Sequence, residues 1–450
     1  MKMSLAIQRR AWMCCGFLAL ILFAVCSLPT QATRAQDAPT YASPTAIVTD
    51  GTVLYVACGT SPKILKLNAK SQKLISTIQT DAPVTGIALG HGKLYVTQGL
   101  TPGKLTAIDL KTHKSTDIRT GLHSPCAPVV AGRNVFVADR FRNVVVNGMT
   151  GKTIPVSREP VAMAVTPDGK TLIVGNLLPA GRADGNEAYC QVSFIDTTTD
   201  KLITELNLDN GATSLRGVAI SPDGKFAYLT HILARYQLPT TQIERGWINT
   251  NALAILDIEK RTLLSTVLLD DVDLGAANPW GVAVSPNGKT VVVTHAGTHE
   301  LSIIDRDAMH KRIAEYRKNN QANEVQNKLS FLAGIRRRLE LPEGNKGPRS
   351  VAITGRIAWV PMYFSDSMIR VELDNTTPRA CSALSLGPKI AITPQRQGEI
   401  YFHDAVLCLQ KWQSCSSCHP DARADALNWD LLNDGMGNPK NVKSMLLSHE

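Results

Sequence analysis

Apolar residues recur along the chain in short runs, and successive runs are paired across a turn. Met163-Ala-Val-Thr-Pro-Asp-Gly-Lys170 leads into Leu172-Ile-Val-Gly-Asn176, Gly217 to Lys225 into Ala227-Tyr-Leu-Thr-His231, and Gly281 to Lys289 into Val291-Val-Val-Thr-His295. Runs of four to six β-branched or aromatic residues are strand chemistry, and Pro followed by Asp-Gly or Asn-Gly supplies the preset φ and then the positive φ of a tight hairpin. Weaker copies pair Ala46–Gly51 with Leu54–Cys58, Gly86–Gly90 with Leu94–Gln98, Val129–Gly132 with Val135–Asp139, and Ser350–Thr354 with Ala358–Met362. A third run follows most pairs, as in Leu105–Asp109, Val192–Asp196, Ala252–Asp257 and Leu301–Asp305, and then a fourth, as in Lys73–Ile78 and Leu263–Val267. Four short strands repeated at about 40 residues have the period of a propeller blade. Seven units predict a mainly β fold, a seven-bladed β-propeller over residues 41–389. An open solenoid is the alternative, and ring closure is favoured because it removes exposed sheet edges.

Three insertions interrupt the period. Blade four carries Leu177–Tyr189 and blade five Ile232–Thr250, each between second and third strands, the latter with Arg235, Tyr236, Arg245 and Trp247. In blade six, Met309, Ile313 and Tyr316, then Val325, Leu329 and Leu332, recur at helical spacing. They predict a helical insertion over about 308–341, its apolar stripe packed on the propeller or on the segment after it.

Aligning the second strands puts Cys58, Gln98, Asp139, Asn176, His231, His295 and Met362 at one equivalent position. A polar side chain there is suited to capping the following turn. His231 and His295, in adjacent blades, are also candidates for a metal site or for a rim pocket. Arg216, Trp280 and Arg349 begin the first strands of blades five to seven and would line that pocket, and Arg235 and Arg245 would roof it. Two His without a third ligand make a thin metal site.

The repeat ends before residue 390. Thr393 as N-cap and Pro394 in the first turn predict a helix through Phe402, and the chain then reaches Cys415-Ser-Ser-Cys418-His419. Two thiols three residues apart followed by an imidazole are what covalent haem attachment needs: each thiol adds to a vinyl group, and the His ligates iron. The pattern also fits a CxxC redox pair, or half of a zinc site that lacks further Cys or His at ligand spacing. The expected cofactor is haem c, with Cys415 and Cys418 as thioether positions and His419 as axial ligand. The candidate sixth ligands are Met436, Met445 and His449, with His403 also in range. A Met ligand makes an electron carrier, and an open position allows peroxide chemistry.

Lys2, Arg9 and Arg10, the apolar run Ala11–Leu28 and the small residues up to Ala35 follow the order of a secretory signal, expected to span 1–35. No later run is apolar enough to cross a bilayer. Export and haem c agree, so a periplasmic or secreted bacterial protein is expected. The net charge of +10 falls to 44 − 38 = +6 without the signal, and no Lys/Arg run alternates with aromatics, so nucleic acid is not indicated. With the signal's thiols and the haem pair set aside, Cys58, Cys126, Cys190, Cys381 and Cys408 remain, an odd number that excludes a fold built on disulfides.

Leu94-Tyr-Val-Thr-Gln98, Val292-Val-Thr-His295, the Pro-Asp-Gly-Lys turns and the Ile-Asp strand ends resemble the YVTN-type β-propeller family, not the WD40 type, whose Gly-His and Trp-Asp signatures are missing. The resemblance implies a bacterial extracytoplasmic propeller and little about chemistry. Gly398-Glu399, Phe402, Cys415–His419 and Asn428-Trp429 resemble the haem-binding portion of di-haem cytochrome c peroxidases, which implies an α-helical cytochrome c-type segment over 390–450. Only 31 residues follow His419 and there is no second CxxCH. The expectation is therefore either a haem domain continuing beyond Glu450 or a propeller that supplies part of the haem pocket.

These readings converge on a haem-c protein in redox chemistry or electron transfer, an oxidoreductase if it is an enzyme, acting on a redox partner protein or a small-molecule substrate. The alternative is an interaction propeller whose haem is a sensor or accessory.

Overall fold

The computed structural model describes residues 40–238, 247–373, 379–432 and 435–448. The expected signal at 1–35, Arg245 and His449 lie outside the described residues.

Seven four-stranded antiparallel sheets follow in chain order, from Pro44–Thr49, Val53–Cys58, Lys63–Asn68 and Leu74–Gln79 to Ala352–Thr354, Ile357–Met362, Ser367–Glu372 and Arg379–Ser385. This is a seven-bladed propeller. Second strands are buried on both faces because each blade is sandwiched between two others: Leu54 and Val56 face blade seven, while Tyr55 and Ala57 face blade two. Fourth strands form the outer edge and leave Leu74, Ile75, Leu202 and Ile203 exposed. Every blade uses contiguous chain. The ring is closed by packing of Leu54, Val56, Leu65 and Leu67 on Trp359 and Met368, and by the Ala42 and Ser43 amides donating to the Asp366 carboxylate at 3.0 and 2.8 Å.

Blade entry repeats a second motif. Ser43, Ser124, Glu159, Asn278 and Gly347 all have left-handed φ, between 44° and 72°. Each precedes a proline that pairs with the last residue of the second strand: Pro44 with Cys58, Pro125 with Asp139, Pro160 with Asn176, Pro279 with His295, Pro348 with Met362. A bulge follows in blades one, three, four and six, turning the first strand down the central channel. Neighbouring first strands approach so closely that a Cβ on Gly217 would lie 2.3 Å from the Trp280 carbonyl oxygen.

The aligned second-strand position does cap. Gln98 donates to Thr106 Oγ1 at 2.8 Å and accepts from the Asp81 and Ala82 amides, and Asn176 donates to the Gln191 carbonyl and to Ser193 Oγ. His295 does the same work, with Nδ1 2.9 Å from the Ala276 carbonyl oxygen and Nε2 2.8 Å from Ser302 Oγ.

In blade six the helix Arg306–Lys318 is capped by Asp305, whose side chain accepts from the Ala308 amide. Met309, Ile313, Val325 and Leu332 pack on Tyr228, Leu253, Val291 and Ile304 of blades five and six. The expected insertion over 308–341 is shorter than predicted, because Arg336–Glu340 is the fourth strand of this blade. Its sequence, Arg-Arg-Arg-Leu-Glu, hides the strand: Arg338 lies against Glu300 at 2.9 Å and Asp271 at 2.9 Å, where the equivalent residues of blades two and four are the carboxylates Asp117 and Glu205.

Candidate functional site

The segment after residue 389 shares its core with the propeller, and Tyr41–Glu450 form one compact unit. The helix Pro394–His403 begins as predicted, with the Thr393 side chain accepting from the Arg396 amide. Arg396 then donates to Ser43 Oγ at 3.0 Å and to the Tyr363 carbonyl at 2.7 Å. Trp412 is buried among Leu233, Ala252, Leu268 and Leu329. It sits so close to Gly275 that a Cβ there would be 2.3 Å from the Trp412 Cα. Leu427 and Trp429 pack on Ile232, Ala234 and Tyr236, where the blade-five strands Ala212–Ile220, Phe226–Ala234 and Asn249–Asp257 run beyond the ring to meet them.

The Cys-x-x-Cys turn is a short helix, Cys415–Cys418, started by a capping box between Ser414 and Ser417. Asn278, one of the left-handed residues at blade entry, holds it. Its Nδ2 donates to Ser414 Oγ at 2.7 Å and Ser416 Oγ at 3.1 Å, and its Oδ1 accepts from Ser417 Oγ at 2.7 Å. Spacing i, i+3 puts both thiols on one side of the turn. Cys415 is exposed, whereas Cys418 is half-buried against the blade-five extension, takes a 3.4 Å hydrogen bond from Asn249 Nδ2, and is pushed up to about 12 by burial. His419 Nδ1 lies 3.1 Å from the Arg423 carbonyl oxygen. A carbonyl only accepts, so a neutral imidazole there carries its proton on Nδ1 and keeps its Nε2 lone pair free. That is the tautomer of an iron-ligating His whose second nitrogen is fixed by the protein.

Beyond His419 the chain turns back with Asp421 and Ala422 at positive φ. Asp421 is paired with Arg140 and, at 2.9 Å, with Arg216, and the two guanidiniums hold its carboxyl well below the usual range against the cost of burial. Arg423 donates to Glu159 at 2.6 Å, and Glu159 also pairs with Arg140 at 2.9 Å. Asp425 is fully buried, accepts from Trp429 Nε1 at 2.8 Å and the Leu427 amide at 3.1 Å, and is pushed up to about 7 by burial.

The predicted rim residues separate into two groups. Arg216, Trp280 and Arg349 do meet: they line the central channel at its mouth, with both guanidiniums stacked on the Trp280 ring at 4.2 and 4.6 Å. His231 and His295 are fully buried in their blades. His295 has both nitrogens engaged and is pushed down to about 3 by burial, while His231 Nδ1 faces the Ile232 carbonyl and its Nε2 has no partner among the described residues. Among the described residues no group of three His, Cys, Asp or Glu is placed to hold a metal ion. Arg235 reaches Asn327 and the Gln326 carbonyl, away from the mouth. Of the sixth-ligand candidates, Met436 is 79% exposed, and Met445 is half-buried with its amide on the Ala422 carbonyl. His403 is half-buried, with Nδ1 2.9 Å from the Glu399 carbonyl oxygen.

Sequence reasoning missed Asn278, Glu159, Arg140, Asp421 and Asp425. A signal for the first two was present, since both stand before the proline that opens a blade. The others have no spacing to betray them.

A haem fits this donor set. Two thiols lie on one helical turn, an imidazole has its Nε2 free, and large apolar side chains are left exposed on both sides of the motif: Tyr401, Val406, Leu407 and Leu409 before it, Leu431, Met436, Leu446 and Leu447 after it. An apolar macrocycle would cover such a surface.

Fold and site together define a class: a seven-bladed propeller whose channel mouth carries a docked CxxCH segment. No family model matches the chain. It is 30% identical over 221 residues to hydrazine synthase subunit beta of Kuenenia stuttgartiensis, a match covering 48% of this chain and 54% of that protein. The chain thus spans about half the length of the curated relative it matches. Among solved structures, Kuenenia stuttgartiensis hydrazine synthase superposes with a TM-score of 0.66 at 21% identity, over 76% of this chain and 98% of that one. A streptogramin B lyase superposes at 0.50 with 14% identity over 72% and 91%, and Kluyveromyces lactis Hsv2 at 0.51 with 12% identity over 78% and 100%. At these identities the structural matches show the propeller fold alone.

Proposed function

We propose that the protein is an extracytoplasmic haem-c subunit of a redox assembly, with the propeller as rigid base for the haem segment and docking surface for partner proteins. The observation that carries this reading is the His419 arrangement, one imidazole nitrogen fixed on the Arg423 carbonyl and the other free, beside two thiols on a turn bolted to Asn278. Bound haem c supplies a one-electron redox centre. Cys415 and Cys418 would hold it by thioethers, and His419 would ligate its iron. Asp421, clamped by Arg140 and Arg216, fixes the chain two residues beyond the ligand and so orients the imidazole. The buried Asp425 and Trp429 keep water from the Cys418 side.

The subunit role is supported by the relative's name, since the matching protein is itself one subunit of a synthase. The YVTN-type and peroxidase-type resemblances of the two parts belong to this proposal, as do secretion by the segment 1–35 and a periplasmic or secreted location. No helix of the described residues is long and apolar enough to cross a membrane.

The test is absorption spectroscopy of protein matured with a haem c assembly system. The wild type is expected to show reduced and oxidised spectra of a His-ligated haem c. His419→Ala is expected to keep covalent haem but change its axial-ligand spectrum. Identical spectra for the two proteins would contradict the assigned ligand.

A further inference from the structure

Among the described residues, Arg349 at the channel mouth has no ion-pair partner. Arg140 and Arg216 share Asp421, and Arg423 and Arg140 share Glu159. Arg349 has no hydrogen bond or ion pair among the described residues, and its buried Nε has no partner. Its guanidinium carbon lies over aromatic rings instead, 3.7 Å from the ring centre of Tyr363, 4.6 Å from that of Trp280 and 5.1 Å from that of Phe364. A guanidinium donates only in its own plane, so contacts with ring faces do not use up its N–H groups. Among these named groups, four guanidiniums stand against two carboxylates, Asp421 and Glu159. Arg140, Arg216 and Arg349 all line one cavity of about 450 Å³ that follows the ring axis between the first strands of all seven blades. Its far wall carries small or apolar groups at the equivalent positions, Thr45, Thr85, Cys126 and Val161.

We propose that this end of the channel is a binding site for a small planar carboxylate or oxyanion, seated on the open edge of Arg349. A guanidinium fork held by stacking is pre-organised for bidentate contact with such a group, and little side-chain entropy is lost on binding. Asp421 already shows the chemistry in place, for its carboxylate accepts from the two neighbouring arginines. The site is built from propeller residues and stands whether or not Cys415 and Cys418 carry haem. Its anion comes either from solvent through the channel or from a propionate of a haem bound to this chain.

Calorimetric titration of the full chain with sodium formate at low ionic strength tests it, with haem content determined separately by mass. Saturable binding is expected in haem-free protein and is expected to weaken about tenfold or more in Arg349→Gln, the loss of one charge-assisted pair. Arg182→Gln, which removes an exposed arginine paired with Asp184, is the control and leaves binding unchanged. Asp421→Asn removes a negative charge from the mouth and releases Arg216, leaving Arg140 on Glu159, and is expected to tighten formate by about tenfold. This gain of binding keeps the test decisive if Arg349→Gln fails to fold. In haem-loaded protein, unchanged affinity assigns the anion to solvent and about tenfold weaker binding assigns it to a propionate. No saturable binding in the haem-free chain, or equal binding by wild type, Arg349→Gln and Asp421→Asn, overturns the proposal.

Discussion

Blades one to four and blades five to seven are built to one plan and used in two ways. In the first group the residue facing the channel mouth is small or apolar, and each sheet ends where the ring ends. In the second it is Arg216, Trp280 or Arg349, the blade-five strands overshoot the ring, and blade six inserts a helix between its third and fourth strands. The C-terminal segment packs its large apolar side chains on that second side, Trp412 against Leu233 and Leu268 and Trp429 against Ile232 and Tyr236, while Ser43, Arg140 and Glu159 of the first group hold it by polar contacts. Repeats distribute stability evenly, so the positions that do not carry the core are free to specialise, and here the apolar docking positions specialise on one side.

The largest break in that arrangement is expected from Trp412→Ala. It empties a fully buried site between propeller and segment and is expected to cost about 3–5 kcal/mol, read as a drop in denaturant midpoint. The equivalent burial inside the ring, Trp359, lies between blades seven and one, so Trp359→Ala is expected to cost a similar amount but to open the ring instead of releasing the segment. Limited proteolysis separates the two: the first variant is cut between 390 and 430, the second near residue 360.

Asn278→Ala comes next, at about 1–3 kcal/mol, since it removes three hydrogen bonds to the Cys415–Cys418 turn while Ser414 and Ser416 keep each other. Its sharper readout is a lower yield of covalent haem, because the turn loses its anchor.

Titration offers a subtler contrast. Asp425 of the segment is raised to about 7 by burial, so between pH 4 and 7 the folded protein holds a proton that the unfolded chain has released. Stability from this group is therefore full below pH 4 and lost as pH rises to 7, at no more than about 1.4 kcal/mol per unit. His295 of the ring is lowered to about 3 by burial and acts in the opposite sense: its contribution is full above pH 6.5 and lost as pH falls toward 3. Asp425→Asn is expected to remove the first slope and His295→Asn the second, measured as unfolding free energy against pH. His295→Asn recreates what Asn176 does in blade four, so near neutral pH it is expected to cost less than about 1 kcal/mol.

How much of this was legible follows the same division. The strands were readable because Leu94–Gln98 or Val291–His295 repeat a pattern that only a doubly buried strand requires, and the Pro-Asp-Gly turns fixed the hairpins. Arg336–Glu340 was not, because its arginines answer to Asp271 and Glu300 across the sheet, and no local rule exposes such a pairing. Among the rim residues, register brought Arg216, Trp280 and Arg349 to one mouth. The same register put His231 and His295 within the sheets, where His295 caps as Gln98 and Asn176 do. The Cys415–His419 motif was visible as chemistry, yet its support, Asn278, Arg216 and Glu159, comes from three distant parts of the chain and meets only through the fold.

The most direct test of the central claim is the intact mass of the purified full chain after maturation with a haem c assembly system. The wild type is expected to carry one covalent haem, and Cys415→Ala with Cys418→Ala none, with both folded by circular dichroism. An unmodified wild-type mass, or a haem retained covalently by the double variant, would contradict the account.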